Sequence, residues 1–333
     1  AYAQYLEQRP GLLDSHIHEL RGDLLADKGD YGQAIIAYEA AIQANSDDND
    51  ETLAVKIALS YQIIGDVETA LSKYSEILTS TTNDYTKAEM SLRIGRIYLE
   101  REEPEQAYIY LQDAVNTAPF TYDAYTALVI LVESGVPVNE YQRGLINYNV
   151  GNYTLAIQAF DRYLTSVPEV NGDAALYYKA LATRTLGYES DASLNEVAIS
   201  LWEQLILDYP VSDYYIDAWE DIEYTLWAFM DDPQRAAETA LKYVAQRPES
   251  ASAPNFLFLA GRSYERAGLL LEAAQTWERI ANEYPQSAET FRAVYFAGIA
   301  HVRLLDWAGA KALFDRALVL STEPAQEAAA YLW

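Results

Sequence analysis

With 333 residues, 50% of them hydrophobic, and a formal net charge of −27, the chain combines apolar side chains for a large core with a strongly acidic surface. Such a surface repels the phosphates of nucleic acids and anionic lipid heads, so we expect neither as a partner. Cysteine is absent, which excludes disulfides, thiolate metal sites and cysteine nucleophiles but leaves the compartment open. The apolar stretch at residues 127–132 is far shorter than the ~20 residues of a membrane-spanning helix, so we expect no membrane insertion.

One motif recurs along the chain: a turn glycine, an alanine five residues later and an aromatic residue four beyond it. Its first copy is Gly29, Ala34 and Tyr38. The corresponding small residues are Ala34, Ala70, Ala107, Ala156, Ala198, Ala236, Ala273 and Ala310. Five of the seven intervals between them are 36–38 residues long, which indicates a repeat of two helices. Glycine permits a left-handed turn, alanine allows a close helix contact, and the aromatic ring fills the groove toward the next hairpin.

In chain order, residues 1–10 are predicted to be the tail of a truncated hairpin, and residues 15–119 to form three repeats. The next interval is 49 residues long and leaves room for an additional helix at 122–133. We therefore expect a three-helix unit over 122–168, with Pro137 beginning the helix that follows the additional one.

The second half returns to the regular period. Residues 171–322 are predicted to form four repeats, with a longer polar turn at 187–193. Residues 324–333 are predicted to start a further, truncated helix. Because no Gly/Ser/Pro-rich linker divides the sequence, we expect a single continuous solenoid over 1–333.

Proline closes several of the units, where a residue without an N–H stops a helix. These prolines are Pro119, Pro168, Pro210, Pro248 and Pro285. The order of glycine, alanine, aromatic residue and closing proline resembles the tetratricopeptide repeat. The resemblance implies an all-α fold, a right-handed α-solenoid of about eight helical hairpins with a concave inner wall.

No residue pattern typical of catalysis or of cofactor binding occurs. His16 and His18 are two residues apart on a helix, so their rings point to different faces. His301 stands where the repeat usually has tyrosine and is predicted to pack. Phosphate-binding glycine loops and hydrolase or metalloprotease motifs are missing from the sequence. We therefore expect no enzymatic activity, no cofactor and no metal.

The resemblance also implies which positions line the inner wall. A chaperone-tail clamp would require lysine at the fifth and asparagine at the ninth position of the first helices, and neither residue occurs there. The remaining stripe is aromatic and aliphatic with scattered arginines, suited to stacking on a peptide or sugar and to binding carboxylates. Packing between adjacent helices stays open as the alternative for each residue. The candidate residues are Tyr141, Leu145, Tyr148, Tyr177, Arg184, Phe258, Arg262, Arg292 and Tyr295.

Two functional interpretations follow, both of a non-catalytic scaffold. Residues 123–137, 140–145 and 328–333 resemble the superhelical, non-catalytic region of bacterial soluble lytic transglycosylases. That resemblance implies a cell-envelope setting, a peptidoglycan strand as a partner and a catalytic lysozyme-like domain beyond Trp333. The alternative is a free-standing tetratricopeptide-repeat adaptor with a protein or peptide partner, for which a cytoplasmic location stays open.

Overall fold

The computed structural model describes residues 11, 13–44, 50–166 and 170–333, and this part of the chain contains eighteen α-helices and no strand. The predicted all-α class of consecutive helical hairpins is confirmed. The chain divides into two compact units, Ala1–Ala159 (unit 1) and Phe160–Trp333 (unit 2). The hairpin tail predicted at 1–10 and the closing residue Pro168 lie outside the described residues.

Unit 1 is built from helices that each contact the next one in the chain. They are Asp14–Asp27 (α1), Tyr31–Ala44 (α2), Asp50–Ile63 (α3), Val67–Ser80 (α4), Asp84–Glu100 (α5), Pro104–Thr117 (α6), Tyr122–Glu133 (α7) and Glu140–Asn149 (α8). Helix α7 is the additional helix and contacts both α5 and α6. The boundary between the units falls within Tyr153–Thr165 (α9).

Unit 2 continues with the same succession of helices. They are Gly172–Glu189 (α10), Leu194–Asp208 (α11), Tyr215–Ala228 (α12), Pro233–Gln246 (α13), Ala253–Arg266 (α14), Leu270–Glu283 (α15), Thr290–Arg303 (α16), Trp307–Leu320 (α17) and Pro324–Leu332 (α18). The first helices of its hairpins are α10, α12, α14 and α16, and each contacts the second helix that follows it.

The motif alanine is buried in every hairpin. All eight of these residues are almost completely buried: Ala34, Ala70, Ala107, Ala156, Ala198, Ala236, Ala273 and Ala310. Glycine on the first helix allows a close approach of the second helix. A Cβ placed on Gly261 would come within 2.6 Å of Trp277 Cδ1, so only glycine leaves room for the indole ring. The Trp277 Nε1–H donates to the carbonyl of Phe258 at 3.2 Å and fixes the ring there.

Two helix boundaries differ from the predicted ones. Helix α8 begins at Glu140 and not at Pro137, because the Asn139 side chain accepts the Tyr141 backbone N–H at 2.9 Å and caps the helix. Helix α10 extends through Gly187 to Glu189. A Cβ on Gly187 would meet Asn195 Oδ1 at 2.6 Å, so this glycine serves close packing against α11, not the turn.

Most turns between paired helices use the left-handed region, as the motif predicts, and the α10–α11 turn at 190–193 does not. Gly29 and Gly65 have φ of 80° and 88°. In the last complete hairpin the same place is taken by Leu305, with φ of 63° and a side chain that is 70% exposed. A leucine in this conformation is strained and has little burial to compensate for the strain.

We therefore expect Leu305→Gly to raise the free energy of unfolding by about 0.5–1 kcal/mol. The free energy gained by relieving the strain exceeds the entropic cost of ordering a more flexible glycine. Urea unfolding followed by circular dichroism measures it. Leu304→Gly is the matched control: its φ is −80°, so glycine relieves no strain there and is expected to lower stability. Equal effects of the two variants would contradict the account.

Candidate binding surface

The predicted residues of unit 1 lie on α8. Leu145 is buried in the core, so its side chain serves packing. The Tyr141 side chain is half-buried, as is that of Tyr148, which meets the Tyr153 ring edge-on with centroids 5.9 Å apart. Their role in binding a partner stays a prediction.

Unit 2 brings three of the predicted residues, Tyr177, Phe258 and Arg262, to one cavity of about 600 Å³ on the side of the first helices α10, α12 and α14. Aromatic rings and carboxylates dominate its wall. The lining residues are Tyr177, Asp217, Glu220, Asp221, Glu223, Tyr224, Trp227, Asn255, Phe258, Leu259, Arg262 and Arg266. We call this the unit 2 cavity.

Helix α12 supplies half of the cavity wall because it is amphipathic. Its buried stripe contains Trp219, Ile222 and Leu226, which pack into the core. The polar and aromatic residues one to two positions away from that stripe face the cavity instead. Glu220 and Tyr224, like the other residues that α12 supplies, are absent from the candidates predicted from the sequence. The signal in the sequence that could have found them is the run of four acidic residues between positions 217 and 223.

Asp221 on α12 forms hydrogen bonds with two residues of α10. One of its carboxylate oxygens accepts the Tyr177 hydroxyl at 2.8 Å, and the other accepts the Arg184 guanidinium at 2.5 Å. Burial and then the Asp221 carboxylate raise the pKa of Tyr177, so the phenol stays protonated and donates this hydrogen bond. Arg184 therefore neutralises Asp221 and is bound to the chain itself.

Glu223 is a buried acid at the base of the cavity, 2% exposed. Its carboxylate accepts the Ser263 hydroxyl at 2.6 Å, a contact between α12 and α14. Burial raises the pKa of Glu223, and the Ser263 hydrogen bond and the Arg266 charge oppose that rise. The Arg266 guanidinium lies 3.9 Å from the centroid of the Trp227 ring, in cation–π geometry.

Asp217 and Glu220 are the remaining carboxylates of the cavity. Among the residues that the structure describes, no lysine or arginine forms an ion pair with either of them; Glu220 accepts only the amide of Asn255, at 3.1 Å. Burial is the main cause that raises the pKa of both groups, with Asp221 acting on each and Asp217 also acting on Glu220. Two acidic groups thus face the cavity without a compensating cation.

The other predicted arginines are bound to carboxylates of the chain. Arg262 donates to Glu265 at 2.6 Å, and Arg292 donates to Glu289 at 2.8 Å. The Arg292 guanidinium also lies 4.1 Å from the Phe258 ring centroid.

Tyr295, the last predicted residue, stacks on Phe291 with ring centroids 6.1 Å apart. Its hydroxyl accepts the Trp333 indole N–H at 2.8 Å. Tyr295 does not line the unit 2 cavity, and its part in binding stays a prediction.

His301 does more than pack. Its ring nitrogens lie 2.7 Å from Asp306 Oδ2 and 3.1 Å from Glu278 Oε1, which joins α16 to the following turn and to α15. Burial opposes the charged ring, but the two hydrogen bonds to carboxylates outweigh it and raise the pKa of His301. The protonated ring is therefore stabilised in the folded state.

A group with a raised folded-state pKa stabilises the protein below its ordinary pKa, about 6.5 for histidine, and this contribution is lost as the pH rises through the folded-state value. We expect the stability difference between the wild type and His301→Gln to be largest near about pH 6 and to shrink toward about pH 9. Urea unfolding across this range measures it. His301→Tyr, which restores the residue typical of the repeat, should likewise lack the pH-dependent contribution, and a pH-independent difference for both variants would contradict the account.

Within the described ranges, no group of three histidine or acidic residues is placed to hold a metal ion. No helix in that part of the chain is long and apolar enough to cross a membrane.

Comparison with known families matches two segments of this helical array. A tetratricopeptide-repeat model matches residues 1–49, and a second tetratricopeptide-repeat model matches residues 256–287. These two segments are therefore similar to tetratricopeptide repeats, the class of helical hairpin that the motif resembles. Neither model is one of lytic transglycosylases. A sequence comparison with curated proteins finds no significant match.

Solved structures of helical repeat proteins are also similar. A tetratricopeptide repeat protein from Parabacteroides merdae is 19% identical, with 86% of this chain and 99% of that chain covered and a TM-score of 0.31. The C-terminal part of a repeat protein from Cytophaga hutchinsonii is 16% identical, with 82% of this chain and 98% of that chain covered and a TM-score of 0.36. The yeast Sti1 TPR2AB domain in complex with an Hsp90 peptide is 13% identical, with 96% of this chain and 95% of that chain covered and a TM-score of 0.30.

Proposed function

We propose that the chain is a non-catalytic protein-interaction scaffold that binds a peptide segment of a partner protein in the unit 2 cavity. The observation that carries this proposal is the cavity itself, about 600 Å³ of open space lined by aromatic rings. A volume of this size holds one or two side chains of a peptide. The cavity offers a concave shape, aromatic ring faces and fixed charges, through which a peptide could be recognised.

The aromatic residues are placed for contact with a partner. Tyr224 is 43% exposed although it lies on a helix with a well-buried apolar stripe. Its ring meets the Trp227 ring edge-on at 5.3 Å between centroids, so both rings are held in place before a partner arrives. Rigid, amphipathic tyrosine and tryptophan side chains are enriched at protein interfaces because they bury much area at a small entropic cost.

The narrower interpretation is the helical arm of a cell-envelope protein resembling a lytic transglycosylase, with a peptidoglycan strand as ligand. Ring faces that stack on a peptide can also stack on a sugar. The adaptor interpretation needs only the repeats and the cavity, so we favour a peptide as the ligand. The cell envelope and the cytoplasm both remain open as the compartment.

Selection from a displayed library of random peptides on the immobilised chain tests the proposal, with dissociation constants then measured by fluorescence anisotropy. Asn255→Trp places a large ring in the cavity, and we expect it to weaken binding of selected peptides by about tenfold or more. Gln275→Trp, on the exposed side of α15, adds the same ring away from the cavity and is expected to bind as the wild type does. Equal affinity for all three proteins would place binding elsewhere, and a soluble glycan strand that competes would favour the envelope interpretation.

A further inference from the structure

We infer that the unit 2 cavity receives a cationic side chain, an arginine or lysine of the partner segment, between its ring faces and the carboxylates of α12. This inference rests on the proposed function and specifies the chemistry of the partner. Three features of the cavity support it: its carboxylates, its rings and the contacts of its arginines.

The charges of the cavity leave two carboxylates without a counter-charge. Asp221 is neutralised by Arg184 at 2.5 Å. Glu223 has the Arg266 charge beside it, and Arg262 shares the Glu265 carboxylate with Arg303. Asp217 and Glu220 remain, three residues apart on one face of α12, where like charges repel each other. Asp217 and Glu220 are therefore the carboxylates of the cavity that an incoming cation would neutralise.

Glu220 is partly buried and Asp217 is exposed, so water screens part of the repulsion between them. Burial first, and then neighbouring carboxylates, raise the pKa of both groups. A cation bound between them would reverse the effect of the neighbouring charge. Binding of a cation is thus expected to favour the charged forms of both carboxylates.

The rings of the cavity already accept guanidinium groups from the chain itself. Arg266 lies 3.9 Å from the centroid of Trp227, Arg292 lies 4.1 Å from that of Phe258, and Arg184 lies 5.7 Å from that of Tyr224. The face of each ring is negative and attracts a cation. Of these rings Tyr224 is 43% exposed, and its face is the one that a basic side chain from a partner would use.

An acidic segment finds a less favourable place. Arg266 lines the cavity and forms no ion pair within the described ranges, but its guanidinium lies over the Trp227 ring, close to the charge of Glu223. Arg262 forms an ion pair with Glu265, which also binds Arg303 at 2.8 Å. An incoming carboxylate would have to displace these pairs and approach Asp217 and Glu220. The net charge of −27 acts in the same direction over longer distances, attracting basic segments and repelling acidic ones.

The test uses the full chain and four pools of labelled peptides, random except for a central residue fixed as Arg, Lys, Gln or Glu. Anisotropy is measured at about physiological ionic strength, where long-range attraction is screened beyond ~8 Å. We expect the Arg and Lys pools to bind about tenfold more tightly than the Gln pool, and the Glu pool to bind least. In the Asp217→Asn/Glu220→Gln variant this preference is expected to disappear.

Glu203→Gln/Glu272→Gln is the matched control, because it changes the net charge by the same amount at two exposed positions outside the cavity. It is expected to keep the preference for basic centres. A preference for Gln or Glu centres, or a basic preference that survives Asp217→Asn/Glu220→Gln, would overturn the inference while leaving the scaffold function intact. Absence of binding by all four pools would instead contradict the proposed function.

Discussion

Replacement of Trp277 by alanine is expected to lower the free energy of unfolding by about 3–5 kcal/mol. The indole is 1% exposed and occupies the space that Gly261 leaves on the facing helix. It also meets the Phe296 ring at 5.6 Å between centroids and donates to the Phe258 carbonyl. Its removal leaves a cavity that the packed helices cannot close and takes one hydrogen bond from the Phe258 carbonyl. Urea unfolding followed by helical circular dichroism measures the loss.

The matched control for this prediction is Trp307→Ala. Trp307 is 63% exposed on the last complete hairpin, so its removal opens no internal cavity. We expect a change of about 0.5 kcal/mol or less. A loss at Trp307 as large as that at Trp277 would show that the motif aromatic does not hold its hairpin in the way described.

Arg184→Ala is expected to destabilise unit 2 by about 2 kcal/mol, less than the ~3–5 kcal/mol of a fully buried pair because water reaches part of both groups. The side chains of Arg184 and Asp221 are each 17% exposed. Without the guanidinium, Asp221 becomes a third uncompensated carboxylate beside Asp217 and Glu220, and the Trp202 ring loses a cation 5.3 Å from its centroid. Thermal unfolding of the variant measures the effect.

Two further variants identify the cause. Adding Asp221→Asn to Arg184→Ala removes the uncompensated charge and is expected to recover part of the loss. Arg235→Ala breaks an ion pair with Glu196 whose two side chains are 41% and 48% exposed, so it should cost less than about 1 kcal/mol. If Asp221→Asn worsens Arg184→Ala, packing by the arginine rather than its charge would explain the loss.

The hairpins follow from sequence because the repeat motif is local. The interval around Ala107 and Ala156 leaves room for a helix at 122–133, and the structure places α7 over Tyr122–Glu133. The places where prediction and structure differ depend on single contacts. The Asn139 side chain caps α8, and the close approach of Asn195 keeps Gly187 within α10. Neither contact is visible in a periodicity.

The candidate site was predictable only in outline. The repeat register directs Tyr177, Phe258 and Arg262 to one wall, and the structure brings these three to the unit 2 cavity. The repeat register could not show that Arg184 binds Asp221, because that pair joins residues 37 positions apart on different hairpins. The net charge of the cavity depends on which carboxylates are paired with arginines. It can therefore be judged only once the side-chain positions are known.

The most direct test of where the partner binds is hydrogen–deuterium exchange of the full chain, with and without a saturating amount of the tightest selected peptide. Bound peptide is expected to slow amide exchange in α12 and α14, the helices that supply most of the unit 2 cavity, and to leave α1–α6 unchanged. Protection confined to unit 1, or to the second helices α11, α13 and α15, would contradict the assignment of the binding surface.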